Sequence, residues 1–333
     1  MKVLVTGASG FLGGHVAERL AARGDSVRAL VRSTSKRAHL EKLPNVEFFE
    51  GSIEDSERVK EAVDGVDAIV HAAGIVKARS TDEFFATNVG GTSNIVQAAR
   101  AGRTKSDPRP PIKRFVFVSS LVACGPSPDG RPVPRDQETP NNAYGRSKLA
   151  AEKVVLSARD DVPCVILRPG AIYGPRDAEI LDMFKSIQRG LLPVVGSGES
   201  KGVWIYATDC ADACIRAIDA DVPSGSAYFV DDGHGAIDLK QLCADAERAL
   251  GRKALIRGSI PVPVLMAIAR GVEVFGRVTN RAVMLTTEKA NMLLQHWVCS
   301  SEETRKALGW EPQVPWQDGL ERTVKWYREN GWL

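Results

Sequence analysis

The chain begins MKVLVTGASGFLGGH (residues 1–15), and this stretch decides the fold. Residues 2–6 are apolar enough for a strand, the glycines Gly7, Gly10 and Gly13 follow at once, and the next residues can start a helix. In that context Gly7 permits a tight turn, Gly10 lets the backbone approach a pyrophosphate, and Gly13 lets the helix pack on the strand. The stretch therefore predicts a dinucleotide site, with a purely structural turn as the alternative.

Composition excludes several other classes of protein. The 333 residues carry a net charge of only +3, so we expect no strong field that attracts nucleic acid or an anionic membrane. The six cysteines show no CxxC pair, and no histidine stands at ligand spacing, which indicates reduced thiols in a cytoplasmic protein without a metal site. No secretory signal is apparent, and the longest apolar stretch (259–269) is too short for a membrane span.

The first half of the chain alternates strand and helix patterns. Strand patterns occupy 2–6, 26–31, 46–49, 67–71, 114–119 and 164–168, with helical patterns at 11–24, 56–65 and 82–102. This alternation predicts an α/β fold, a Rossmann-type doubly wound parallel sheet, over a dinucleotide-binding domain of residues 1–170. The polar, proline-rich stretch 103–111 is expected to be an exposed loop.

After residue 170 the alternation ends. Helical patterns remain at 178–189, 208–219, 238–250, 261–276 and 316–329, and one strand pattern at 227–230. The stretch SSEE at 300–303 fits a capping box for a short helix that stops at Gly309. We expect residues 171–333 to form a smaller, mostly helical substrate-binding region, with or without strands returned to the main sheet.

Several motifs in register resemble the extended short-chain dehydrogenase/reductase family, also called the NAD-dependent epimerase/dehydratase superfamily. The glycine turn is followed by HAAG (71–74), NVGGT (88–92), VSS (118–120), YGRSK (144–148) and LRPGAIYGP (167–175). The resemblance covers nearly the whole chain. In motif style, SSLVACGP (119–126) and LRPGAIYGP are closest to the 3β-hydroxysteroid dehydrogenase and dihydroflavonol-reductase-like branches.

The motif residues also make chemical sense by themselves. Tyr144 and Lys148 lie four apart on a predicted helix and so share a face. A phenol has a pKa of about 10, and we expect the neighbouring ammonium to lower it. Ser120, at a strand end, can donate a hydrogen bond to a substrate oxygen. Ser119 is the alternative candidate for this role. Ser120, Tyr144 and Lys148 are thus the predicted catalytic residues of a carbonyl/alcohol interconversion.

The sequence favours NADP over NAD. At the end of the second strand, where an acidic residue would bind the NAD ribose, the chain has Arg32, which can pair with a 2′-phosphate. The family's Asp after the third strand is replaced by Ser52. The resemblance implies that Asn88 supports the sheet edge and that residues 169–172 hold the carboxamide through backbone groups. The predicted cofactor-binding residues are Gly7, Ser9, Gly10, Phe11, Leu12, Gly13, Arg32, Ser52, Ile53, Ala72, Ala73, Gly74, Asn88, Tyr144, Lys148, Pro169, Gly170 and Ile172.

Three functions remain open from the sequence. The first is an NAD(P)-dependent oxidoreductase that interconverts a secondary alcohol and a ketone on a fairly apolar, steroid-like or flavonoid-like molecule. The second is a nucleotide-sugar epimerase or dehydratase with tightly bound NAD, and the third is a dinucleotide-sensing protein without turnover. The stripe Val264, Ile268, Val272 and Phe275 is expected to pack in the core or line an apolar pocket. The family also implies a homodimer through helices 81–101 and 143–158.

Overall fold

The computed structural model describes residues 1–101, 112–279, 283 and 285–333, so the predicted loop 103–111 lies outside the described residues. The strands, in chain order, are β1 (Lys2–Thr6), β2 (Ser26–Val31), β3 (Val46–Glu50), β4 (Ala68–His71), β5 (Arg114–Val118), β6 (Cys164–Pro169), β7 (Ala171–Tyr173), β8 (Leu191–Val195), β9 (Lys201–Gly202), β10 (Trp204–Tyr206), β11 (Ser226–Val230), β12 (Ile237–Asp238) and β13 (Ile256–Ile260).

The helices are spread along the whole chain. They are α1 (Phe11–Arg23), α2 (Ser56–Val63), α3 (Thr81–Phe84), a π-helical turn (Phe85–Gly90), α4 (Gly91–Ala101), a 3₁₀ turn (Leu121–Ala123), α5 (Ala143–Leu156), α6 (Glu179–Gln188), α7 (Ala207–Asp219), α8 (Leu239–Leu250), α9 (Val262–Thr279), α10 (Thr287–Leu293), α11 (Glu302–Leu308) and α12 (Trp316–Glu329).

Seven strands form one parallel sheet in the order β11-β6-β5-β4-β1-β2-β3. The strand order reverses beside β1, which has β2 on one side and β4 on the other. In open α/β sheets, such a reversal opens a crevice at the carboxyl ends of the strands, where ligands bind. The predicted doubly wound parallel sheet is confirmed.

The sheet has a core on each face because its strands are apolar on both sides. Val3 and Val5 face a layer that contains α1 and α7, whereas Leu4 between them faces a layer that contains α2, α4 and α5. All three side chains are fully buried. This continuous burial explains why β1, like the other central strands, is a nearly unbroken apolar run rather than an alternating one.

Beyond Pro169 the chain builds a second layer of structure at the carboxyl edge of the sheet. Its core is aromatic: Tyr173 packs against Trp204, Tyr206 and Trp316 with ring centroids 4.8–6.1 Å apart. One strand of this part, β11, returns to the main sheet beside β6. The division at residue 170 remains a prediction, since the two parts share that sheet.

Two local expectations are wrong. The helix α11 does end at Gly309, which has a φ of +57°, but no capping box forms at its start. Ser301 is the N-cap residue, but its oxygen accepts no N–H of the helix, because its backbone (φ −88°, ψ 7°) is not in the extended conformation that an N-cap needs. Its hydroxyl donates to the buried Asp231 carboxylate at 2.7 Å. In α9, three of the four residues of the predicted stripe, Val264, Ile268 and Phe275, are exposed rather than packed in the core or lining a pocket. The fourth, Val272, is half-buried. Among the described residues, no helix is long and apolar enough to cross a membrane.

Candidate active site

The glycine turn joins β1 to α1 with almost no free space. Gly7 has a φ of +73°, and a Cβ there would lie 2.8 Å from the backbone nitrogen of Ala73. A Cβ on Gly13 would overlap the carbonyl oxygen of Gly7. The first side chain would therefore push away the HAAG segment, and the second would push α1 off the turn. The structure thus brings the glycine turn and Ala73 together, as the sequence predicts.

The start of α1 has the properties of an anion site. Its N-cap residue is Gly10, no side chain caps the helix, and its first turn holds no acidic residue. Some other helices are capped by side chains, for example α2 by Asp55 and α5 by Asn142, whereas α6 and α7, like α1, are not. The N–H groups at Phe11, Leu12 and Gly13 have no acceptor within the helix. These groups fit the pyrophosphate of a dinucleotide, whose negative charge the helix N-terminus favours.

His71, at the end of β4, has a hydrogen-bond partner at each ring nitrogen. Its Nδ1 lies 2.6 Å from the Thr6 hydroxyl oxygen and its Nε2 lies 2.9 Å from that of Thr92. The same Thr6 oxygen accepts the N–H of Ala73 at 3.2 Å. Burial, helped by the positive charge of Lys148, lowers the pKa of His71 to about 3, so the ring is neutral. Sequence reasoning did not include Thr6 and Thr92 in the site.

Asn88 lies in the π-helical turn and ties two segments together at the sheet edge. Its side-chain oxygen accepts the N–H of Ile75 at 2.8 Å, and its Nδ2 donates to the Ile75 carbonyl at 3.1 Å. The same Nδ2 donates to the Ser147 hydroxyl at 2.9 Å. Asn88 thereby fixes the segment after Gly74 against α5, which is the support that the family resemblance implies. Ser147, inside YGRSK, is a site residue that sequence reasoning missed.

Lys148 projects from α5 to the ends of the central strands. Its Nζ donates to the Val118 carbonyl at 2.6 Å and lies 4.4 Å from the centre of the Phe117 ring. The same Nζ would lie 3.9 Å from a Cβ on Gly74, so it faces the predicted cofactor crevice. Burial lowers its pKa to about 8, partly offset by the negative charge of Glu152. At neutral pH, Lys148 is therefore still mostly protonated.

Tyr144 lies in the first turn of α5, one helical turn before Lys148. Burial raises its pKa to about 12, Ser120 lowers it through a side-chain hydrogen bond, and Glu179 raises it. The expectation that the Lys148 ammonium lowers the pKa of Tyr144 is wrong for the protein without bound cofactor. The physical reason is that desolvation of the phenolate outweighs the other contributions, while Lys148 is bonded to the Val118 carbonyl.

The two serines after β5 have different environments. Ser119 is buried and donates its hydroxyl to Glu152. Ser120 is half-buried, accepts the N–H of Val122 at 3.2 Å and interacts with Tyr144. Because the hydroxyl of Ser119 is already bonded to a carboxylate, Ser120 is the better placed of the two to meet a substrate oxygen.

Behind Ser119 lies a buried ion pair that sequence reasoning missed. Arg168 donates to Glu152 with both Nε and Nη2, at 2.9 and 2.6 Å. Glu152 stands four residues after Lys148 on α5, so Tyr144, Lys148 and Glu152 follow one face of the helix. This four-residue spacing is the sequence signal from which Glu152 could have been predicted to lie near the site.

The adenosine end of the crevice is more open. Arg32 follows β2 directly and is exposed, and among the described residues its guanidinium has no hydrogen-bond or ion-pair partner. The Ser52 hydroxyl accepts the N–H of Glu54 at 3.3 Å, within its own loop. The side chain of Ile53 is buried against Gly91. Arg32 thus has a free charge, whereas the side chains of Ser52 and Ile53 are engaged within the protein.

The segment 169–172 offers fewer backbone donors than the resemblance implies. The N–H of Gly170 donates to the Val230 carbonyl at 3.0 Å, and that of Ala171 donates to the Val203 carbonyl at 3.0 Å. Proline at 169 has no N–H. A carboxamide could therefore be held here by carbonyl groups or by Ile172, but not by these two N–H groups. Within the described part of the chain, no cluster of His, Cys, Asp or Glu could hold a metal ion.

Comparison with known proteins agrees with this geometry. Residues 3–230 match the family model described as the NAD dependent epimerase/dehydratase family. The chain is 31% identical to a ceramide reductase of Caulobacter vibrioides, over 99% of this chain and 96% of that protein. It is 30% identical to a 3 beta-hydroxysteroid dehydrogenase/Delta 5-->4-isomerase of Mycobacterium tuberculosis, over 98% and 90%.

Among solved structures, a double mutant of DesIV, the dTDP-glucose 4,6-dehydratase of Streptomyces venezuelae, with NAD and DAU bound, superposes with a TM-score of 0.80. It is 25% identical, and the match covers 100% of this chain and 98% of that one. The resemblance seen in the motifs, including that to hydroxysteroid dehydrogenases, is confirmed. The chain belongs to the NAD-dependent epimerase/dehydratase family and is an NAD(P)-dependent oxidoreductase of the extended short-chain dehydrogenase/reductase type.

Proposed function

We propose that this protein interconverts a ketone and a secondary alcohol on a fairly apolar small molecule, with NADP(H) as the exchangeable cofactor. The observation that carries the proposal is the arrangement at α5: Tyr144 lies against Ser120, and Lys148 points into the crevice beside Gly74. These are the groups that a carbonyl/alcohol proton transfer needs. The epimerase and dehydratase alternative uses the same residues, so other observations must separate the two.

The protonation states favour reduction of a ketone. With a pKa of about 12, Tyr144 is neutral at pH 7 and can donate its phenolic proton to a carbonyl oxygen. Ser120 donates a second hydrogen bond to the same oxygen, and the Lys148 ammonium stabilises the negative charge left on the phenol oxygen. When bound, the nicotinamide cofactor supplies the hydride.

The named relatives support an apolar substrate. A ceramide carries long hydrocarbon chains and a 3β-hydroxysteroid is a fused hydrocarbon ring system, and both named proteins align with almost all of this chain. The solved dehydratase supports the nucleotide-sugar alternative at lower identity. A dinucleotide sensor without turnover is the least supported reading, because Ser120, Tyr144 and Lys148 are all present and meet at one edge.

Three finer points belong to the same proposal. The free charge of Arg32 supports NADP as the preferred cofactor, since a guanidinium pairs well with a 2′-phosphate. The family implies a homodimer through helices 81–101 and 143–158. The six cysteines are all free and buried, in accord with a cytoplasmic protein.

The test is the oxidation of NADPH in the presence of ketones of graded polarity. A long-chain 3-oxo amide and a 3-ketosteroid represent the apolar class, and UDP-glucose and dTDP-glucose represent the alternative. We expect NADPH oxidation with an apolar ketone, product alcohol in equal amount, and no reaction with Tyr144→Phe. Conversion of a nucleotide sugar without net consumption of cofactor would contradict the proposal.

A further inference from the structure

The helix α9 is apolar on two sides, and only one of them is buried. Leu265 and Ala269 pack with Ala290 of α10 in a small core. The opposite side faces solvent, with exposed fractions of 49% at Val264 and 58% at Phe275, rising to 81% at Val278. At 3.6 residues per turn, the exposed apolar side chains form one continuous stripe along the helix. The stripe consists of Val264, Ala267, Ile268, Val274, Phe275 and Val278.

The part of the chain that contains this stripe is rich in basic residues. Arg270 is exposed on α9 at the margin of the stripe. Between residues 251 and 279 the chain has five basic residues and a single acid, Glu273. Glu273 lies off the stripe, and its carboxylate accepts the hydroxyl of Thr287 at 2.9 Å. Of the basic residues, Arg257 is paired with Glu247 at 2.7 Å. The net charge of +3 thus hides a locally basic region.

The stripe lies one helix away from the catalytic tyrosine. Glu273 holds α9 to the start of α10 through Thr287. The next residue of α10, Glu288, accepts the N–H of Ala143 at 2.9 Å, and Ala143 directly precedes Tyr144. The pair α9–α10 therefore covers the side of the active site at which α5 begins. A partner bound to the stripe would therefore lie on the α9–α10 side of the proposed active site.

We propose that α9 docks this protein on the surface of a lipid bilayer that contains anionic headgroups. An apolar stripe flanked by basic residues is the pattern of helices that lie in the membrane interface, with their apolar side among the acyl chains. The helix does not cross the bilayer; it lies along it. Docking does not depend on the proposed substrate, although it would place the active site beside a membrane-dissolved ketone.

The experiment is flotation of the full chain with vesicles of phosphatidylcholine alone or mixed equally with phosphatidylglycerol. We expect the wild type to float with the anionic vesicles and to be released by high salt. The double substitution Ile268→Ser/Phe275→Ser should weaken binding about tenfold or more, because it removes two large apolar side chains. Arg270→Glu should weaken binding to anionic vesicles only.

Two control variants change comparable residues elsewhere. Val76→Ser removes an apolar side chain that is 52% exposed near the cofactor crevice, and Lys306→Glu reverses an exposed charge on α11. Both should float like the wild type, and all variants should keep their NADPH affinity as a sign of correct folding.

Three results would overturn the proposal. The first is a wild type that floats with neither vesicle, and the second is a stripe variant that binds as tightly as the controls. The third is a change of oligomeric state in the stripe variant without lipid, measured by light scattering, which would show that the stripe holds a second copy of the chain. Because none of these measurements uses turnover, failure here leaves the proposed ketone reduction to its own test.

Discussion

The sheet region (residues 1–170) and the region that follows it (171–333) differ in how they bury apolar residues. In the sheet, Val3, Leu4 and Val5 are all fully buried, because helices cover both faces. In α9, by contrast, Leu265 is buried while Phe275 is 58% exposed, because helix and sheet partners lie on one side only. An apolar pattern thus predicts burial where the architecture supplies a partner on each side, and elsewhere it leaves a surface free for binding. Our proposals follow this difference: the cofactor is proposed to bind at the sheet, and a membrane surface at the exposed side of α9.

The strongest test of this division is Tyr144→Phe, which removes one oxygen at the junction of the two parts. Turnover should fall by about 10²–10⁴-fold, the usual size of acid–base catalysis, while NADPH affinity stays unchanged. Steady-state kinetics and fluorescence titration of NADPH measure the two quantities. A variant that keeps more than about a tenth of the wild-type kcat would remove Tyr144 from the proton transfer.

The next largest effect is expected at Arg32, which follows β2 at the adenosine end of the proposed cofactor crevice, in the sheet region. Arg32→Ala should weaken NADPH by about 1.5–3 kcal/mol, or roughly 10- to 150-fold, and should change NADH little. Because Lys36 and Arg37 lie close in sequence and can compensate, the ratio of the two affinities is the quantity to measure. An unchanged ratio would make Arg32 an ordinary surface residue and withdraw the preference for NADP.

Much of the first part could be predicted from the sequence. The bounds of β1 and β2 agree with the apolar runs, because buried parallel strands leave a continuous signal. The meeting of Tyr144 and Lys148 follows from helical spacing alone. The pKa of Tyr144 could not be predicted, since it depends on how deeply the folded chain buries the phenol.

Long-range polar contacts were also invisible in the sequence. Arg176 donates to both carboxylate oxygens of Glu18 at 2.7 and 2.8 Å, and this pair joins α1 to the segment after β7. Together with His15, Arg176 lowers the pKa of Glu18 to about 2 against the effect of burial. Residues more than 150 positions apart have no periodicity that would reveal their pairing. The exposure of the α9 stripe could not be predicted for a related reason: the apolar pattern of a helix does not indicate which of its sides packs against another element.

A matched pair of glycines distinguishes the two parts directly. A Cβ on Gly13 would overlap the carbonyl oxygen of Gly7, and a Cβ on Gly319 would overlap the Tyr173 hydroxyl. Gly13→Ala and Gly319→Ala should each lower the free energy of unfolding by about 1–3 kcal/mol, since both overpack a tight site. Only Gly13→Ala should weaken NADPH binding, because it displaces the glycine turn that is proposed to hold the pyrophosphate. Equal losses of cofactor affinity in the two variants would contradict the division.

The effect that is smallest at neutral pH, and that grows only in acid, is a dependence of stability on pH. Folding lowers the pKa of His71 from 6.5 to about 3. Between these two pH values the histidine is therefore protonated in the unfolded chain and neutral in the folded chain. The contribution of His71 to stability is fully present above pH 6.5 and should fall by about 1.4 kcal/mol per pH unit as the pH drops through that window. Burial raises the pKa of Asp177 to about 6, which opposes this loss over part of the window, so the comparison with a His71 variant is needed to isolate the histidine. Denaturant unfolding at several pH values should show a smaller slope for His71→Asn. Equal slopes for the two proteins would mean that His71 titrates normally when folded.

The central claim is that the cofactor is exchangeable, as an alcohol/ketone oxidoreductase requires, and is not retained through a closed cycle, as in the nucleotide-sugar alternative. Mass spectrometry of the freshly purified and then denatured protein measures this directly, because it counts the dinucleotide released from each chain. We predict far less than one dinucleotide per chain, and complete replacement of any remainder when NADPH is added before denaturation. One NAD per chain that survives purification and does not exchange would contradict the claim.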